Sequence, residues 1–321
     1  MANKSRRWTT TVAMALLAGS AVAAVAVLAR RNSRGPRAVI APLELTPLHR
    51  AGTGTPLLLL HGVGAIWRAW SPVLPYLEPH HDVIVPTLAG HGGGPALDAQ
   101  IAPSIQALTD NIEDELDRLG LQKVHIAGNS LGGWIGIELA RRGRAQSLVL
   151  FSPAGAWRSQ RAINLRATGI RLSLNAIGRY ASRADAIAAN SLLRWSLLAA
   201  QVAHPNRVPP EALATYLRAG AEAPVVAPLL QDLPLRQVEP LAVARDYPVR
   251  LVWGERDRVL PFDGFGAAMH ERLPGSELIR LQDVGHVPMS DDPAGVARLI
   301  LQVTAAVDGA AVLTARAEHD V

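Results

Sequence analysis

The sequence of 321 residues contains no cysteine. Disulfide bonds and thiolate metal sites are therefore excluded, and this absence fits either side of a membrane. Acidic residues are absent from residues 1–37, which hold seven of the 32 Lys and Arg residues. The remainder carries 25 basic and 27 acidic side chains, so the formal net charge of +5 comes from this one flank. The charge distribution does not indicate a nucleic-acid-binding surface, and we expect no nucleic-acid partner.

Charged residues are also missing from residues 8–29, an apolar run between two basic flanks. As a helix these 22 residues would be about 33 Å long, close to the thickness of a bilayer core. The run is longer than the apolar part of a usual secretory signal, so we predict that residues 1–37 form an uncleaved membrane anchor. Cleavage at residues 21–23 (AVA), followed by secretion, is the alternative, and the flanking charges do not settle the orientation.

The motif that carries chemical meaning is GNSLG at residues 128–132, which matches G-x-S-x-G. It follows a short run with two β-branched residues at residues 123–127, which predicts a buried strand, and it precedes a helical pattern at residues 133–142. Such a turn lifts a serine hydroxyl out of the end of a strand, and it needs glycines because it leaves no room for Cβ atoms. We therefore predict that Ser130 is a nucleophile and that the amide of Leu131 stabilises an oxyanion.

A nucleophilic serine needs a base, and the base needs an acid that orients it. Residues 249–253 predict a strand that leads into Glu255 and Asp257, and residues 276–281 predict a strand that is followed by His286. Acid and histidine thus lie just past the carboxyl ends of strands, where open α/β sheets collect their chemistry. His286 is the predicted base, and either carboxylate is a candidate acid.

The order serine, acid, histidine resembles that of the α/β-hydrolase superfamily, and the resemblance covers about residues 45–307. It implies an α/β fold in which a mostly parallel central sheet is flanked by helices and carries an inserted helical cap. The sequence WGERD at residues 253–257 is typical of the family. By this match Asp257, rather than Glu255, is the acid of the catalytic triad.

The sequence HGVG at residues 61–64, directly after the four leucines at residues 57–60, is a second match to the family. It implies that the amide of Val63 contributes to the oxyanion hole together with the amide of Leu131. His61 and Gly62 are interpreted as the scaffold of this loop, with His61 as a hydrogen-bonding group and not as a base.

Residues 38–153 and 249–307 are predicted to form the two parts of the hydrolase core. Residues 154–248 between them are too many for a usual connection and are predicted to form the helical cap. A cap closes over the serine, excludes water and shapes the substrate pocket. A last helix is predicted to begin after Asp292, and residues 308–321 are predicted to be a loose C-terminal tail.

These features predict a serine hydrolase that cleaves carboxylic esters with an apolar acyl group, without a metal or an organic cofactor. The expected partners are a small apolar ester and a membrane contacted by residues 8–29. One alternative is a C–C bond hydrolase of the meta-cleavage type, because GNSLGG at residues 128–133 is similar to the GNSMGG of that branch. Another is a non-catalytic, membrane-tethered binding module. Haloalkane dehalogenases and epoxide hydrolases resemble this architecture but have an aspartate in place of the serine.

Overall fold

A computed structural model describes residues 45–319, except for the side chains of residues 176, 177 and 311–319. The anchor predicted for residues 8–29 lies outside this described part and stays a prediction. Between residues 45 and 319, no helix combines the length and the apolar character that are needed to cross a bilayer.

A seven-stranded sheet forms the centre of the molecule. The strands are β1 (Leu48–Ala51), β2 (Thr55–Leu60), β3 (His81–Pro86), β4 (Val124–Asn129), β5 (Ala145–Phe151), β6 (Val249–Gly254) and β7 (Glu277–Leu281). Their spatial order is β1-β3-β2-β4-β5-β6-β7, in which β1 is antiparallel to β3 and every other pair is parallel. The predicted fold class is therefore confirmed.

Helices flank this sheet and fill most of the segment between β5 and β6. They are α1 (Leu74–Leu77), α2 (Ile105–Arg118), α3 (Leu131–Arg141), α4 (Gln160–Tyr180), α5 (Ala184–Ala189), α6 (Ser191–Leu198), α7 (Pro210–Ala221), α8 (Val226–Asp232), α9 (Ala267–Arg272), α10 (Pro288–Asp291) and α11 (Pro293–His319). The strand and the helix that the sequence predicts around the serine motif are thus β4 and α3.

The four leucines of β2 show why both faces of the sheet are covered. Successive side chains of a strand point to opposite faces. Leu58 and Leu60 pack in one buried cluster with α2 and α3, whereas Leu57 and Leu59 pack in another with α11. A strand that is apolar on both faces is expected in a parallel sheet between two layers of helices.

The segment between β5 and β6 consists mainly of the five helices α4 to α8. Buried residues of α5, α6 and α7, such as Ile187, Leu193 and Leu213, form a hydrophobic cluster of their own. Val226 and Leu229 of α8 instead join the main cluster on the sheet. The inserted segment is therefore helical, and its last helix packs as part of the core.

The loose tail predicted for residues 308–321 is corrected over residues 308–319, because α11 continues to His319, and residues 320 and 321 lie outside the described part. Asp308 accepts a hydrogen bond from Thr55 Oγ1 at 2.8 Å and lies 3.1 Å from His125 Nε2. These two contacts hold Asp308 on the sheet, and the alanines that follow it favour a continuing helix. The regular spacing of apolar residues, on which the sequence prediction depended, weakens in this part of the helix. The predicted start of the helix is confirmed, since Asp292 Oδ1 accepts from the amide of Gly295 at 2.9 Å.

Candidate active site

Ser130 occupies the sharp turn between β4 and α3. Its backbone has φ 55° and ψ −114°, a conformation that a residue with a side chain adopts only under strain. A Cβ atom at Gly128 would lie 2.4 Å from the carbonyl oxygen of Gly132, and one at Gly132 would lie 2.3 Å from that of Leu60. Both glycines are thus required, as the sequence predicts, and the turn presents the serine at the carboxyl end of β4.

The backbone of the serine is supported from two sides. Its amide donates to the carbonyl of Phe151 at 3.1 Å, and its carbonyl accepts from the amide of Ala154 at 2.9 Å. A Cβ atom at Gly62 would be 3.3 Å from Ser130 Cβ, so the loop after β2 lies directly against the serine. These neighbours hold the strained turn in place.

His286 and Asp257 form a buried pair at the same edge of the sheet. The distance from His286 Nδ1 to Asp257 Oδ2 is 2.8 Å, and the side chains are 6% and 0% exposed. The aspartate follows β6 and the histidine follows β7, so neighbouring parallel strands bring them together. When Nδ1 donates to the carboxylate, Nε2 is left as the proton acceptor of the ring.

Asp257 makes two kinds of contact. While Oδ2 faces the histidine, Oδ1 accepts from the amides of Val259 and Leu260 at 2.9 and 2.8 Å. The carboxylate therefore also forms the turn after β6, which fixes its orientation toward the imidazole. Glu255, the other candidate acid, is exposed.

Among the described residues, no hydrogen bond joins Ser130 Oγ to His286 Nε2. Neither atom is buried without a partner, so solvent reaches both. Such a bond is often long in an enzyme without substrate. The two loops are nevertheless joined, because the buried Asn129 side chain donates to the carbonyls of His286 at 2.9 Å and Phe151 at 3.0 Å. The sequence gives no sign of this role of Asn129, because only the fold brings its two partners together.

The amides of Val63 and Leu131 are the predicted oxyanion donors. Leu131 is the first residue of α3, directly after the serine, and Val63 follows the glycine that lies against the serine. Within residues 45–319, neither amide donates to an acceptor of the chain. Both amides therefore stay available beside the strained serine.

His61 connects the loop after β2 to the loop after β3. It is fully buried, its Nε2 accepts from the amide of Leu88 at 2.9 Å, and its Nδ1 lies 2.8 Å from the carbonyl oxygen of Gly62. Both ring nitrogens are therefore engaged. Burial, aided by the neighbouring His91, lowers the pKa of His61 to about 3, which keeps the ring neutral.

Asp291, a buried carboxylate that no sequence motif singles out, joins the cap to the loop that carries His286. Its Oδ2 accepts from the amides of Ala203 at 2.9 Å and Gly285 at 2.8 Å, and its Oδ1 accepts from that of His204 at 2.9 Å. The first and third of these amides belong to the segment after α6, and the second precedes His286. In the sequence, the position of Asp291 five residues after His286 is the only sign of this role. That position alone does not reveal that the carboxylate binds amides of the cap.

Helix α4 extends over the site. Arg166 donates to the carbonyls of Arg258 and Val259 at 2.8 and 2.6 Å, in the loop that carries the acid. Eight residues further along, the Leu174 side chain lies 3.2 Å from the position of a Cβ atom at Gly64, in the loop of the predicted oxyanion donor. The helix thus reaches from the loop after β6 to the loop after β2.

Comparison with known proteins identifies the family to which a chain with this fold and site belongs. The family model of the alpha/beta hydrolase family matches residues 57–299. This range covers most of the chain, from the four leucines of β2 to α11. The chain belongs to the alpha/beta hydrolase family and is a hydrolase.

Similar proteins include more than one kind of hydrolase. The chain is 34% identical over 212 residues to the epoxide hydrolase EphH of Mycobacterium tuberculosis, covering 61% of this chain and 93% of that protein. It is 32% identical over 254 residues to a pimeloyl-[acyl-carrier protein] methyl ester esterase of Aromatoleum aromaticum, covering 77% and 97%. A thermophilic esterase from Thermogutta terrifontis has a TM-score of 0.62 at 23% identity, covering 85% of this chain and 99% of that structure. The structural similarity at this identity shows a shared fold.

Proposed function

We propose that this hydrolase cleaves carboxylic esters with an apolar acyl group of short to medium length. The observation that carries the proposal is the buried pair of His286 and Asp257, 2.8 Å apart, at the same sheet edge as the strained Ser130. A serine, a histidine and a carboxylate in this chain order are the groups that acyl transfer needs.

In this mechanism His286 Nε2 takes the proton from Ser130 Oγ while that oxygen attacks the ester carbonyl. Asp257 keeps the other proton on Nδ1 and stabilises the imidazolium. The histidine then protonates the leaving alcohol, and an acyl-serine remains. A water molecule that loses a proton to His286 hydrolyses this acyl-enzyme and restores the serine. The amides of Val63 and Leu131 stabilise the oxyanion in both steps.

The preference for an apolar acyl group rests on the cap. Leu174 lies beside the loop of Val63, and Ile163 and Ile170 on the same helix pack against the main cluster. A charged acyl chain would lose its hydration against such side chains without gaining a partner. The similar methyl ester esterase supports an ester as the substrate.

A fluorophosphonate probe, which labels activated serines, tests the proposal on the full chain. We expect labelling of the wild type, no labelling of Ser130→Ala and weak labelling of His286→Ala. Ser147→Ala is the matched control, since that buried serine also bonds a histidine, and it should be labelled normally. A series of p-nitrophenyl esters then measures the acyl preference. Ester turnover that survives Ser130→Ala, or no turnover at any chain length, would contradict the proposal.

A C–C bond hydrolase of the meta-cleavage type is the second candidate, favoured by GNSLGG at residues 128–133. The same serine and histidine would then act on a vinylogous diketone. Faster turnover of a dienoate substrate than of any ester would select this activity. A non-catalytic binding module is the third candidate, and labelling of Ser130 by the probe would reject it. The activity of the epoxide hydrolase relative is not proposed, because the nucleophile position holds a serine.

For the location of the protein, we propose that residues 8–29 anchor it in a membrane, with secretion after cleavage as the alternative. The length of the run and its basic flanks support an anchor. Extraction of cell membranes with carbonate, followed by mass determination of the protein, separates an intact anchor from a cleaved signal. A protein that begins after residue 23 would contradict the anchor.

A further inference from the structure

The first part of the cap differs in charge from the rest of the protein. Residues 158–198 contain seven Arg, no Lys and a single acid, Asp185. Elsewhere in residues 38–321 there are 18 basic and 26 acidic side chains. The lone acid is occupied, because it pairs with Arg218. Outside the N-terminal flank, the excess of positive charge is therefore concentrated on the cap.

Exposed apolar side chains lie on α4 and α6, two helices of this arginine-rich segment. Leu165 and Leu172 on α4 are 45% and 61% exposed, and Leu192 and Trp195 on α6 are 73% and 52% exposed. Within the described residues, these are four of the eight large apolar side chains that are exposed. Single exposed apolar residues are ordinary, but several of them on helices that are rich in arginine are typical of an interaction surface.

The spacing places these groups of α4 on one stripe. Arg161, Leu165, Leu172 and Arg179 are separated by four, seven and seven residues, which returns each side chain to nearly the same face of a helix. The opposite face, with residues such as Ile170, packs on the core. Helix α4 is thus amphipathic in an unusual way, because its outward face carries leucines between arginines.

Helices α4 and α6 flank the same loop. The carbonyl of Arg258 accepts from Arg166 of α4, and the side chain of Arg258 donates to the carbonyl of Ala199 at the end of α6 at 2.5 Å. Two of the arginines on α4, Arg171 and Arg179, have no ion-pair partner among residues 45–319. Their charge remains available to a partner with negative charge.

We propose that this outer cap face, formed by Leu165, Leu172, Leu192 and Trp195 with the arginines around them, docks on the surface of an anionic bilayer. The apolar side chains enter the headgroup region, and the arginines pair with lipid phosphates. A polyanion such as a nucleic acid would complement the positive charge of this face but not its leucines. A second copy of the same face would be repelled, because it is also positively charged. The predicted anchor would raise the local concentration of lipid at this face.

The absence of cysteine allows the face to be probed by single-cysteine labelling of the full chain. L172C and W195C carry an environment-sensitive fluorophore, and V243C, which replaces a 75% exposed valine in the loop before β6, is the matched control. Each protein is mixed with vesicles of phosphatidylglycerol and phosphatidylcholine or of phosphatidylcholine alone. We expect the emission at positions 172 and 195 to shift to the blue on anionic vesicles only, and the emission at 243 to stay unchanged.

Replacing the two unpaired arginines in R171Q/R179Q should weaken insertion of the probe by roughly fivefold for each lost charge. The proposal is overturned if positions 172 and 195 remain in water on anionic vesicles or shift no more than position 243. It is also overturned by a shift that needs no lipid and grows with protein concentration, which would show a dimer, or by a shift on DNA alone. None of these readouts involves hydrolysis, so the outcome is independent of the proposed function.

Discussion

Two histidine–aspartate pairs lie at opposite ends of the central sheet. His286 and Asp257 are 2.8 Å apart beyond the carboxyl ends of the strands, and His125 and Asp308 are 3.1 Å apart near the amino end of β4. The second ring nitrogen of His125 bonds Ser147 Oγ at 2.8 Å, so that ring is fully engaged. Nε2 of His286 has no such partner in the described chain and lies at the edge that presents the strained serine. A paired histidine can serve proton transfer only where one nitrogen stays available.

The pair of His125 and Asp308 belongs to a hydrogen-bond network that holds α11 on the sheet. His81 Nε2 lies 2.8 Å from Thr304 Oγ1, and Thr55 Oγ1 donates to Asp308 at 2.8 Å. Burial lowers the pKa of His81 and of His125, so both rings favour the neutral state. We therefore expect this end of the sheet to contribute stability and the other end to contribute chemistry.

The largest expected difference between the two ends is in turnover. Ser130→Ala and His286→Ala should each reduce kcat by a factor on the order of 10⁵ to 10⁶, as expected for members of a triad. His125→Gln should leave kcat unchanged and lower the melting temperature. Steady-state kinetics with a p-nitrophenyl ester and thermal denaturation check both ends. A large loss of kcat in a folded His125 variant would contradict the distinction.

The next largest difference is expected between variants of the two aspartates, Asp257 and Asp308. Asp257→Asn should lower kcat by about 10⁴-fold, because an amide there favours the wrong tautomer of the histidine. Asp308→Asn, the matched change at the other end, should leave kcat intact and reduce the free energy of unfolding by about 1 to 3 kcal/mol. Kinetics and urea denaturation measure these outcomes, and equal kinetic losses in both variants would refute the assignment.

A smaller effect is expected at Asp291, which we regard as a positioning residue because it orients the backbone around the histidine. In Asp291→Asn we expect kcat to fall by up to about 10²-fold, the loss typical of a catalytic group displaced by 1 Å, with little change in KM. Asp291→Glu should recover part of this loss. The control is Asp283→Asn, which removes a carboxylate that is about half exposed and pairs with His204 and Arg256. Equal effects in the control, or a pure loss of stability, would reject the positioning role.

The smallest effect concerns the dependence of stability on pH. Burial lowers the pKa of His61 to about 3 and that of His91 to about 4, from an ordinary value of 6.5. Below pH 6.5 the unfolded chain binds a proton at each ring that the folded chain does not. The free energy of unfolding should therefore fall toward pH 4 by about 1.4 kcal/mol per pH unit for each neutral histidine. Urea denaturation at several pH values measures how steeply the free energy of unfolding depends on pH. In His91→Gln this slope should be smaller by the contribution of one proton, about 1.4 kcal/mol per pH unit.

The sequence predicted much of the geometry of the candidate site because the residues that form it leave local signals. Gly128 and Gly132 reveal a tight turn in the chain itself, and strands that end before Asp257 and His286 place those groups at one edge of a parallel sheet. Asn129 carries no such signal, since its partners are carbonyls at distant positions.

The chain alone determined which groups are chemically able to act, because glycines, a serine and polar residues at strand ends leave a signature within a few residues. The tertiary structure decided which of the histidines is engaged on both sides and which is not. It also decided that residue 308 holds the last helix on the sheet and that Asp291 joins the cap to the histidine loop. Hydrogen bonds between segments far apart in sequence depend on distances that only packing sets, and no local pattern encodes them.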